Sequence, residues 1–572
     1  MSSRDAISSR AISDAEQFDF GDDSAIDELA FARVSSPIIF LEVSTREIDP
    51  TELTDVVPGE PDLGVGPLSS HSISSLKLPF RQRRIVRYLF STAPWCGRPG
   101  DSLRPNQRAN PRVITAGRIS RSIPVDVTAP RRGQRTIGDA QLSNPDGELD
   151  FLLTDVFTEG QEIRAWLARP QDDAIEWIQL YEAYIESIEA TRETIRIRIT
   201  TVMDQLRRPL QLRKYTGSGG LSGDANVAGR LKPVALGEVW GAEPVLISTA
   251  DNIYAVNDGP IQSIDRVMEG GLDFTFTADY PTFDALRTAT LAAGEYATSL
   301  QNGIFRVGLN LEGLVYPLRV VLQGDASVNG YQASTGEILY RLARNRAFLP
   351  ANLVNLFDFQ ALPANSIGFY ANGTRELTVE NVFDELLRGV AGWFGVGRGL
   401  ELRVGRLLPP ESLVPVLNVR QDELFDIRIE ARPDDDRSSQ PYTYAPTANP
   451  VSLDQVSPAA DADTERRLTQ DAETDEAFTS DDDTFAIFPN PTLPTYFTER
   501  NPAQNVASTA LAFSSVARLP VKASIGRLGI KVDLGDAMAI QSTRFKEEFT
   551  GVVFDLDENL GAVITTRVTA IG

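Results

Sequence analysis

The run TIRIRIT (194–200) constrains the fold most, because apolar and polar residues alternate along its whole length. A period of two places the three isoleucines on one face and the two arginines on the other. An α-helix would scatter the same residues around its circumference. The run therefore predicts an antiparallel strand with one buried face and one solvated face.

Other segments also predict strands, because they are rich in β-branched and aromatic residues and end at turn residues. The run YIESIEATRET (184–194) fits a partner strand and turn, although a helix over 172–192 stays open because Glu and Ala favour it. A turn is predicted at Asn257–Pro260. The remaining predicted strands are PIIFLEV (37–43), KPVALGEVW (232–240), PVLIS (244–248), IYAVNDGPIQSIDRVM (253–268, around that turn), ELRVGRL (401–407), GIKVDL (529–534), AMAIQS (537–542), GVVFDLDE (551–558) and AVITTRVTAI (562–571).

Three segments in the middle of the chain predict helices, each opening with a capping residue. They are 282–304, opened by Thr282, 334–348, opened by Ser334 or Thr335, and 378–395, opened by Thr378 and closing from Gly389. Strands thus outnumber helices. The predicted class is β-rich α+β, with several small barrels or sheets and a few packing helices.

A chain of 572 residues is too long for one core, and roughly three to four domains are expected. Composition divides it into six segments. These are an N-terminal arm and first strand (1–75), a β-rich domain with an Arg/Pro-rich loop (76–215), a β/α middle domain (216–330), a helical and hairpin domain (331–410), an acidic loop-rich region (411–515) and C-terminal barrel strands (516–572). Little regular structure is expected over 76–130, and a flexible Gly-rich loop over 216–230.

The charge balance is strongly acidic, with 79 Asp and Glu against 55 Lys and Arg and a net charge of -24. Such a surface repels nucleic acid and anionic membranes, so neither specific nucleic-acid binding nor membrane binding is expected. No apolar run approaches the length of a membrane helix, and the N-terminus lacks a signal-peptide core. We expect assembly in a cytoplasm.

Catalytic residues are scarce. The chain has one histidine, His71, and one cysteine, Cys96, so an intrachain disulfide and a His-based metal site are excluded. A thiol–imidazole pair of these two residues is possible, but a loop histidine and a packing thiol are the favoured interpretation. GSGGLSG lacks the Lys–Ser/Thr of a phosphate loop, and GVGRG (395–399) fits a hairpin turn.

The acidic stretch 454–483 lacks the residue order of a calcium loop, and a solvated loop is favoured. Paired carboxylates could still form a glycosidase site, because 79 acids make chance pairs common. No catalytic, cofactor-binding or metal-ligating residue is therefore assigned, and the chain is predicted not to be an enzyme.

An arginine cluster in the 76–130 region is a candidate inter-subunit contact, together with a nearby tryptophan. The residues are Arg81, Arg83, Arg84, Arg87 and Trp95. A salt network within the chain is one alternative. A contact with DNA is the other, but the net charge disfavours it. The five tryptophans are scattered along the chain and favour core or interface packing. The Ser- and Asp-rich arm 1–35 is a candidate clamp on a neighbouring molecule.

Several phrases, in chain order from about 80 to 570, resemble one family. They are LSNPDGELDFLLTD (142–155), KPVALGEVW (232–240), PVLISTADNIYAVNDGPIQSIDRV (244–267), DYPTFDALRTATLAAGEYATSLQNGIFRVG (279–308), AGWFGVGRGLELRVGRLLPP (391–410) and LGDAMAIQSTRF…GVVFDLDENLGAVITTRV (534–568). The family comprises tail proteins encoded downstream of the tape-measure gene in long-tailed, non-contractile bacteriophages and prophages.

The resemblance implies a structural hub of the tail tip, or baseplate, assembled in the host bacterial cytoplasm and located in the virion. Such hubs form closed rings, usually homotrimers, with two barrel-like domains per chain. The implied partners are the distal tail protein, the central fibre or host-attachment protein and the tape measure. No cofactor is implied. A distal tail ring or baseplate shell protein is the nearest alternative, and a tail-associated peptidoglycan hydrolase or a glycan-binding module is the alternative of another class.

Overall fold

The computed structural model describes residues 38–47, 85–97, 106–124, 132–168, 177–200, 202–309, 313–398, 401–430, 437–478, 489–516, 518–545, 548–560 and 564–572. The predicted arm 1–35 lies outside them. The fold is β-rich α+β, with 43% strand, 20% helix and sheets curled into half-barrels. The predicted fold class is confirmed.

The strands are numbered in chain order. The first twelve are β1 (Ile38–Glu47), β2 (Ile85–Ser91), β3 (Trp95–Cys96), β4 (Arg108–Ala109), β5 (Val113–Thr115), β6 (Arg118–Ser122), β7 (Gln134–Ile137), β8 (Ala140–Ser143), β9 (Val156–Phe157), β10 (Glu162–Ala168), β11 (Trp177–Ala190) and β12 (Thr194–Thr200). The middle strands are β13 (Val234–Ala242), β14 (Val245–Ser248), β15 (Ile253–Ala255), β16 (Ile261–Glu269), β17 (Leu272–Asp273), β18 (Thr275–Asp279), β19 (Glu295–Ser299), β20 (Ile304–Val307), β21 (Leu318–Asp325) and β22 (Gly368–Ala371). The last are β23 (Gly392–Val396), β24 (Leu402–Arg406), β25 (Leu417–Val419), β26 (Asp426–Ile429), β27 (Ser439–Tyr444), β28 (Glu473–Phe478), β29 (Leu493–Pro494), β30 (Pro520–Ser524), β31 (Ala537–Ile540), β32 (Phe549–Leu560) and β33 (Ile564–Ile571).

The helices fall mainly in the second half of the chain. They are α1 (Phe151–Thr154), α2 (Phe283–Arg287), α3 (Thr335–Asn345), α4 (Leu356–Gln360), α5 (Val379–Arg388), α6 (Ala462–Thr469) and α7 (Arg500–Ser514). Short 3-10 turns cover Val202–Arg207, Gly220–Ser222, Ala225–Val227, Leu300–Asn302, Ala351–Leu353, Pro410–Ser412, Gln421–Glu423, Leu453–Gln455 and Gly526–Lys531. No described helix is long and apolar enough to span a membrane.

The N-terminal sheet follows the order β2-β1-β10-β11-β12-β8-β5, with β9 beside β1. Its strand β12 is the predicted TIRIRIT strand. Ile195 and Ile197 are fully buried, whereas Arg196 and Arg198 face outward. The segment 110–115 joins the two edges of the sheet: Asn110 bonds to β2, and Val113 pairs with Leu142 of β8. The sheet therefore curls around one apolar core.

Two five-stranded sheets form the middle of the chain, in the orders β17-β16-β21-β13-β22 and β14-β15-β20-β19-β18. The predicted turn at Asn257–Pro260 is confirmed between β15 and β16. The Asn257 side chain accepts a hydrogen bond from the backbone N–H of Ala235 at 3.0 Å and donates to the carbonyls of Gly259 and Pro260. This asparagine thus ties the turn to strand β13.

Helices α3 and α5 confirm two helix predictions, and both begin with a capping box. Ser334 caps α3 and Thr378 caps α5. In each case the side chain three residues later accepts a hydrogen bond from the backbone N–H of the capping residue. The end of the predicted 378–395 helix is wrong, because the chain from Gly392 forms strand β23. The two helices pack with α4 and the hairpin β23-β24 around Phe359, Phe383 and Phe394. The strands β23 and β24 pair on either side of the predicted GVGRG turn, whose last residue lies outside the described residues.

The C-terminal sheet follows the order β25-β31-β32-β33-β30-β26, and β6 pairs with both β32 and β7. It therefore combines strands from residues 118–137, 417–429 and 520–571. Three of the six segments proposed from composition contribute to this one sheet. The proposed segment boundaries stay a prediction.

A two-stranded ribbon connects the N-terminal and C-terminal sheets. The chain leaves β5 and enters β6 at Gly117, and it returns from β7 to β8 at Gly138. Gly117 has φ +115°, and a Cβ there would lie 2.8 Å from the Gly138 carbonyl oxygen. The carbonyl of Gly117 accepts a hydrogen bond from Leu560 of β32 at 3.0 Å. The corner thus needs glycine at Gly117.

Several predictions from local pattern are wrong. The helix predicted over 282–304 exists only as α2, because Glu295–Ser299 pairs with β20 and tertiary pairing overrides helix propensity. The helix alternative over 172–192 is also wrong, because Trp177–Ala190 pairs with both β10 and β12. The segment GIKVDL (529–534) forms no strand: its first half ends the 3-10 turn Gly526–Lys531, and its second half is irregular.

Two regions predicted to be irregular contain regular structure. Strands β2 to β6 lie within 76–130, and α6, α7, β27 and β28 lie within the loop-rich 411–515 segment. Short strands paired with distant residues leave little local pattern in a sequence, which explains the first error. Helix α7 was missed because its apolar positions are mostly alanines, which carry a weak periodic signal.

Candidate functional site

The predicted contact residues separate in the structure. Arg81, Arg83 and Arg84 lie outside the described residues. Arg87 projects from β2 with about half of its side chain exposed, and its Nε lies 3.4 Å from a carboxylate oxygen of Glu42. Glu42 is buried, whereas the guanidinium of Arg87 stays accessible to solvent. Its role as an inter-subunit contact stays a prediction.

Trp95 packs inside the chain. Its ring meets Phe40 edge-on at 5.1 Å and Trp177 at 5.4 Å between ring centroids, and Trp166 lies 6.5 Å from Trp177. Only 8% of Trp95 is exposed. Three of the five tryptophans thus form one cluster at the N-terminal sheet. Contact of Trp95 with another subunit stays a prediction.

The other candidate groups do not assemble into a catalytic arrangement within the described residues. His71 lies outside them, and Cys96 is exposed, with its thiol beside the Gly97 carbonyl. Part of the acidic stretch 454–483 is ordered as α6 and β28, where Asp461 caps the helix. Among described residues, no group of three potential ligands could hold a metal ion.

A network of charged side chains lies where the ribbon meets the C-terminal sheet, and we call it the junction network. Arg121, Arg398 and Glu558 are buried in it, and its other members are half-buried. Its members are Arg121 of β6, Asp358 of α4, Arg398 and Glu401 beside the hairpin turn, Arg403 of β24, Asp533 and Asp536 before β31, and Glu558 of β32. These residues come from five distant parts of the chain. The network therefore forms only when the whole fold is assembled.

Arg121 is the centre of the network and is almost completely buried. It donates to Asp533 at 2.5 Å and to Glu558 at 3.1 Å. Glu558 also pairs with Arg398 at 2.7 Å, and Arg398 donates to the backbone carbonyls of Gly529 and Val532. Buried charges are tolerated only when they are paired in this way, so each guanidinium depends on its carboxylate partners.

Arg403 contacts three acidic side chains of the network. It donates to Asp358 and lies 3.3 Å from the second oxygen of Asp533 and 3.9 Å from Glu401. Burial by itself would raise the pKa of Asp533, but the charges of Arg121, Arg403 and Arg398 hold that pKa below its ordinary value. Asp533 thus links β6 to β24 as a carboxylate.

For two other carboxyl groups of the network, nearby arginine charges do not offset the effect of burial on the pKa. Burial raises the pKa of Glu401, and the charge of Asp533 raises it further. Burial also raises the pKa of Asp536, to about 6. Among the described residues, Asp536 forms no ion pair; it accepts the backbone N–H of Asp533 at 2.8 Å. The network contains five acids against three arginines, so full ionisation would leave an excess of negative charge.

An apolar end of the C-terminal sheet is open to solvent, and we call it the apolar end. Val414 and Val416 lead into β25, and Leu519 precedes β30; they are 86%, 59% and 43% exposed. A cleft of about 450 Å³ lies beside them, lined by residues including Leu413, Phe549 and Gly572. The cleft also contains the paired Glu411 and Arg518, whose two bonds are each 3.0 Å.

Sequence reasoning missed both the junction network and the apolar end. Arg121, Asp533 and Glu558 are more than 400 residues apart from first to last, and no local pattern distinguishes them from surface charges. The only available signal was the placement of charged residues inside strands that otherwise predict burial. Val414 stood in a proline-flanked loop, where an exposed apolar residue has no periodic signature.

No protein-family model matches the chain, and no curated protein sequence matches it either. Among solved structures, the chain is similar to the 43 kDa tail protein of prophage MuSo2 from Shewanella oneidensis. That similarity has 7% identity and a TM-score of 0.36, and it covers 81% of this chain and 95% of that one. A tail protein from Neisseria meningitidis MC58 has 9% identity and a TM-score of 0.35, with coverage of 81% and 95%.

A chain from the virion of a native gene transfer agent particle has 13% identity and a TM-score of 0.38. It covers 65% of this chain and 92% of its own length. TM-scores this low mean that the folds superpose poorly over their length, and they carry no argument about function. The function of this chain therefore has to be argued from its own residues and geometry.

Proposed function

We propose that this chain is a structural hub component of a bacteriophage tail tip, located in the virion. In this role it joins the distal tail ring to the central fibre or host-attachment protein. The proposal starts from the six phrases between 142 and 568 that resemble tail proteins encoded downstream of the tape measure. It assigns the chain a scaffolding role without catalysis or a cofactor.

The observation that carries the proposal is the pair of curled sheets joined by one ribbon. The N-terminal sheet and the C-terminal sheet each contain eight strands, and β6 and β7 of the C-terminal sheet lie between β5 and β8 of the N-terminal sheet along the chain. A ring of three chains with two such units each presents six similar units. That number matches the six subunits of a hexameric tail ring. A trimeric hub with two such units per chain can therefore contact every subunit of the ring.

The junction network supports this role because it fixes the ribbon strand β6 to strand β32 of the C-terminal sheet and to the hairpin β23-β24. A scaffold that transmits load between partners needs fixed geometry, and the network ties β6 to β24 and β32 through buried ion pairs. A hinge would need few buried contacts at the same place. The arrangement favours a rigid connector.

The apolar end supplies a contact surface for a neighbouring copy in the ring. Exposed Val414 and Val416 lie beside a cleft, which is the arrangement expected where a protein chain docks. Arg87 of the N-terminal sheet is the second proposed contact. A closed ring requires two different surfaces on each copy, because its interfaces are heterologous.

The test is the mass of the purified chain in solution by light scattering, with and without the distal tail protein. A trimer, or a monomer that becomes a trimer when the partner is added, is the expected result. A hexamer would instead identify a distal ring protein. A monomer that ignores the partner would contradict the hub, and cleavage of peptidoglycan would then be measured.

A further inference from the structure

We propose that the cleft between helices α3 and α4 binds the acidic segment 18–31 of the chain's own N-terminal arm. Apolar side chains of the segment enter the cleft, and its carboxylates pair with arginines around it. The inference stands on the cleft, the charges beside it and the sequence of the arm. It goes beyond the proposed tail role and does not depend on it.

The cleft has a volume of about 500 Å³ and lies between α3, α4 and the loop that precedes α3. Its lining includes Arg341 and Arg344 of α3 and Leu356 of α4. Arg341 is committed to the fold, because it pairs with Asp325 at 3.2 Å and donates to the backbone carbonyls of Asp325 and Gly330. Arg341 is therefore a fixed wall, and Arg344 and Leu356 are the groups available to a ligand.

Apolar side chains next to the cleft are exposed to solvent. Leu356 and Phe357 of α4 are 42% and 74% exposed, and Phe348, which follows α3, is 55% exposed. The backbone of Phe348 has a φ of +58°, a conformation that is strained for a bulky residue. The fold keeps this ring at the surface despite the strain. Exposed apolar groups beside a concave cleft are typical of a binding surface.

The same surface carries positive charge, in a protein whose net charge is -24. Arg344 and Arg346 lie at the C-terminal end of α3, and the guanidinium of Arg208 lies 5.1 Å from the centre of the Phe348 ring. Arg344 donates to the Leu349 carbonyl, and no acidic side chain of the described residues pairs with any of these three arginines. Guanidinium groups without carboxylate partners beside apolar rings indicate an acidic ligand with apolar side chains.

The N-terminal arm contains a segment with this chemistry. The run FDFGDDSAIDELAF (18–31) has five acidic residues and no basic one, together with three phenylalanines, an isoleucine and a leucine. It ends seven residues before Ile38, where β1 begins. An extended chain spans about 3.4 Å per residue, so the segment can reach about 20–70 Å from β1. The tether gives it a high effective concentration at the cleft, which favours the chain's own arm over that of a second copy.

The experiment is photo-cross-linking of the full chain with p-benzoylphenylalanine in place of Phe357, followed by mass spectrometry of the adduct and its fragments. We expect a cross-link to residues 18–31 in an adduct with the mass of one chain. The control carries the same probe in place of Phe478, which is 72% exposed on β28, and should give no cross-link to that segment. A cross-link from position 357 to another acidic stretch such as 479–488, an adduct of two chains, or no cross-link would overturn the proposal.

Charge reversal tests the electrostatic part of the binding. Arg344→Glu combined with Arg346→Glu should lower the yield of the cross-link by about tenfold or more, because like charges then face each other. Arg192→Glu, in the exposed turn between β11 and β12, is the matched control and should leave the yield unchanged.

The reciprocal change on the arm separates lost binding from a misfolded helix. Asp27→Arg combined with Glu28→Arg should lower the yield about tenfold when the cleft is unchanged, and should restore it when Arg344 and Arg346 are both replaced by glutamate. Equal yields in the cleft variant and in Arg192→Glu, or no recovery in the combined variant, would contradict the proposed pairing.

Discussion

The N-terminal sheet and the C-terminal sheet reach the same curled shape by different routes. In the N-terminal sheet, β10, β11 and β12 are consecutive antiparallel neighbours, and their apolar faces form a continuous core. The C-terminal sheet takes strands from both halves of the chain and includes ion pairs buried at the ribbon. The N-terminal sheet is therefore largely determined by segments close in sequence. The C-terminal sheet depends on pairing between segments from opposite ends of the chain.

The largest expected effect is at the junction network. Arg121→Met removes the central guanidinium and leaves the buried Glu558 and the half-buried Asp533 without it, which should cost about 3–5 kcal/mol of unfolding free energy. The measurement is urea unfolding followed by tryptophan fluorescence and circular dichroism. Arg118→Met is the control, since its exposed pair with Asp557 should be worth only about 0–1 kcal/mol. Equal losses in the two variants would contradict the account.

A core substitution in the N-terminal sheet gives the second effect. Ile197→Ala creates a cavity beneath the fully buried face of β12 and should cost about 2–5 kcal/mol. Arg198→Ala, on the outward face of the same strand, should change stability by less than about 1 kcal/mol. Both values come from the same unfolding experiment, and a larger effect for Arg198→Ala would mean that the faces of β12 are assigned wrongly.

This contrast explains what the sequence could predict. The alternation of TIRIRIT encodes burial residue by residue, so β12 and its faces were predicted correctly. The capping boxes at Ser334 and Thr378 are equally local. The partners of Arg121 depend on packing between strands hundreds of residues apart, and no short-range pattern contains that information. The same reason explains the failed helix at 282–304, where pairing of β19 with β20 overrides local propensity.

A glycine substitution at the ribbon should have a smaller effect. Gly117→Ala places a Cβ 2.8 Å from the Gly138 carbonyl oxygen at a positive φ, and should cost about 1–3 kcal/mol. Gly160→Ala is a suitable control. That glycine also has a positive φ, but an added Cβ would meet no atom within 4 Å. A loss no larger at Gly117 than at Gly160 would show that the corner can relax without cost.

The smallest effect on stability is expected at the apolar end. Val414→Asp changes a residue that is 86% exposed, so the unfolding free energy should stay within about 0.5 kcal/mol. Under the proposed function, it should weaken ring formation by about tenfold or more. Ile85→Asp, on the edge of the N-terminal sheet, is the comparison variant. Sedimentation of both variants would show which sheet carries the apolar contact.

The claim that the ribbon joins the two sheets into one rigid unit can be measured directly by the distance between spin labels. Cys96 is exposed beside the N-terminal sheet, and Arg428→Cys adds an exposed label site on β26 of the C-terminal sheet. Double electron–electron resonance should give one narrow distance distribution within a chain, and Arg121→Met should broaden it. A broad distribution in the chain with an intact junction network would contradict the rigid connection.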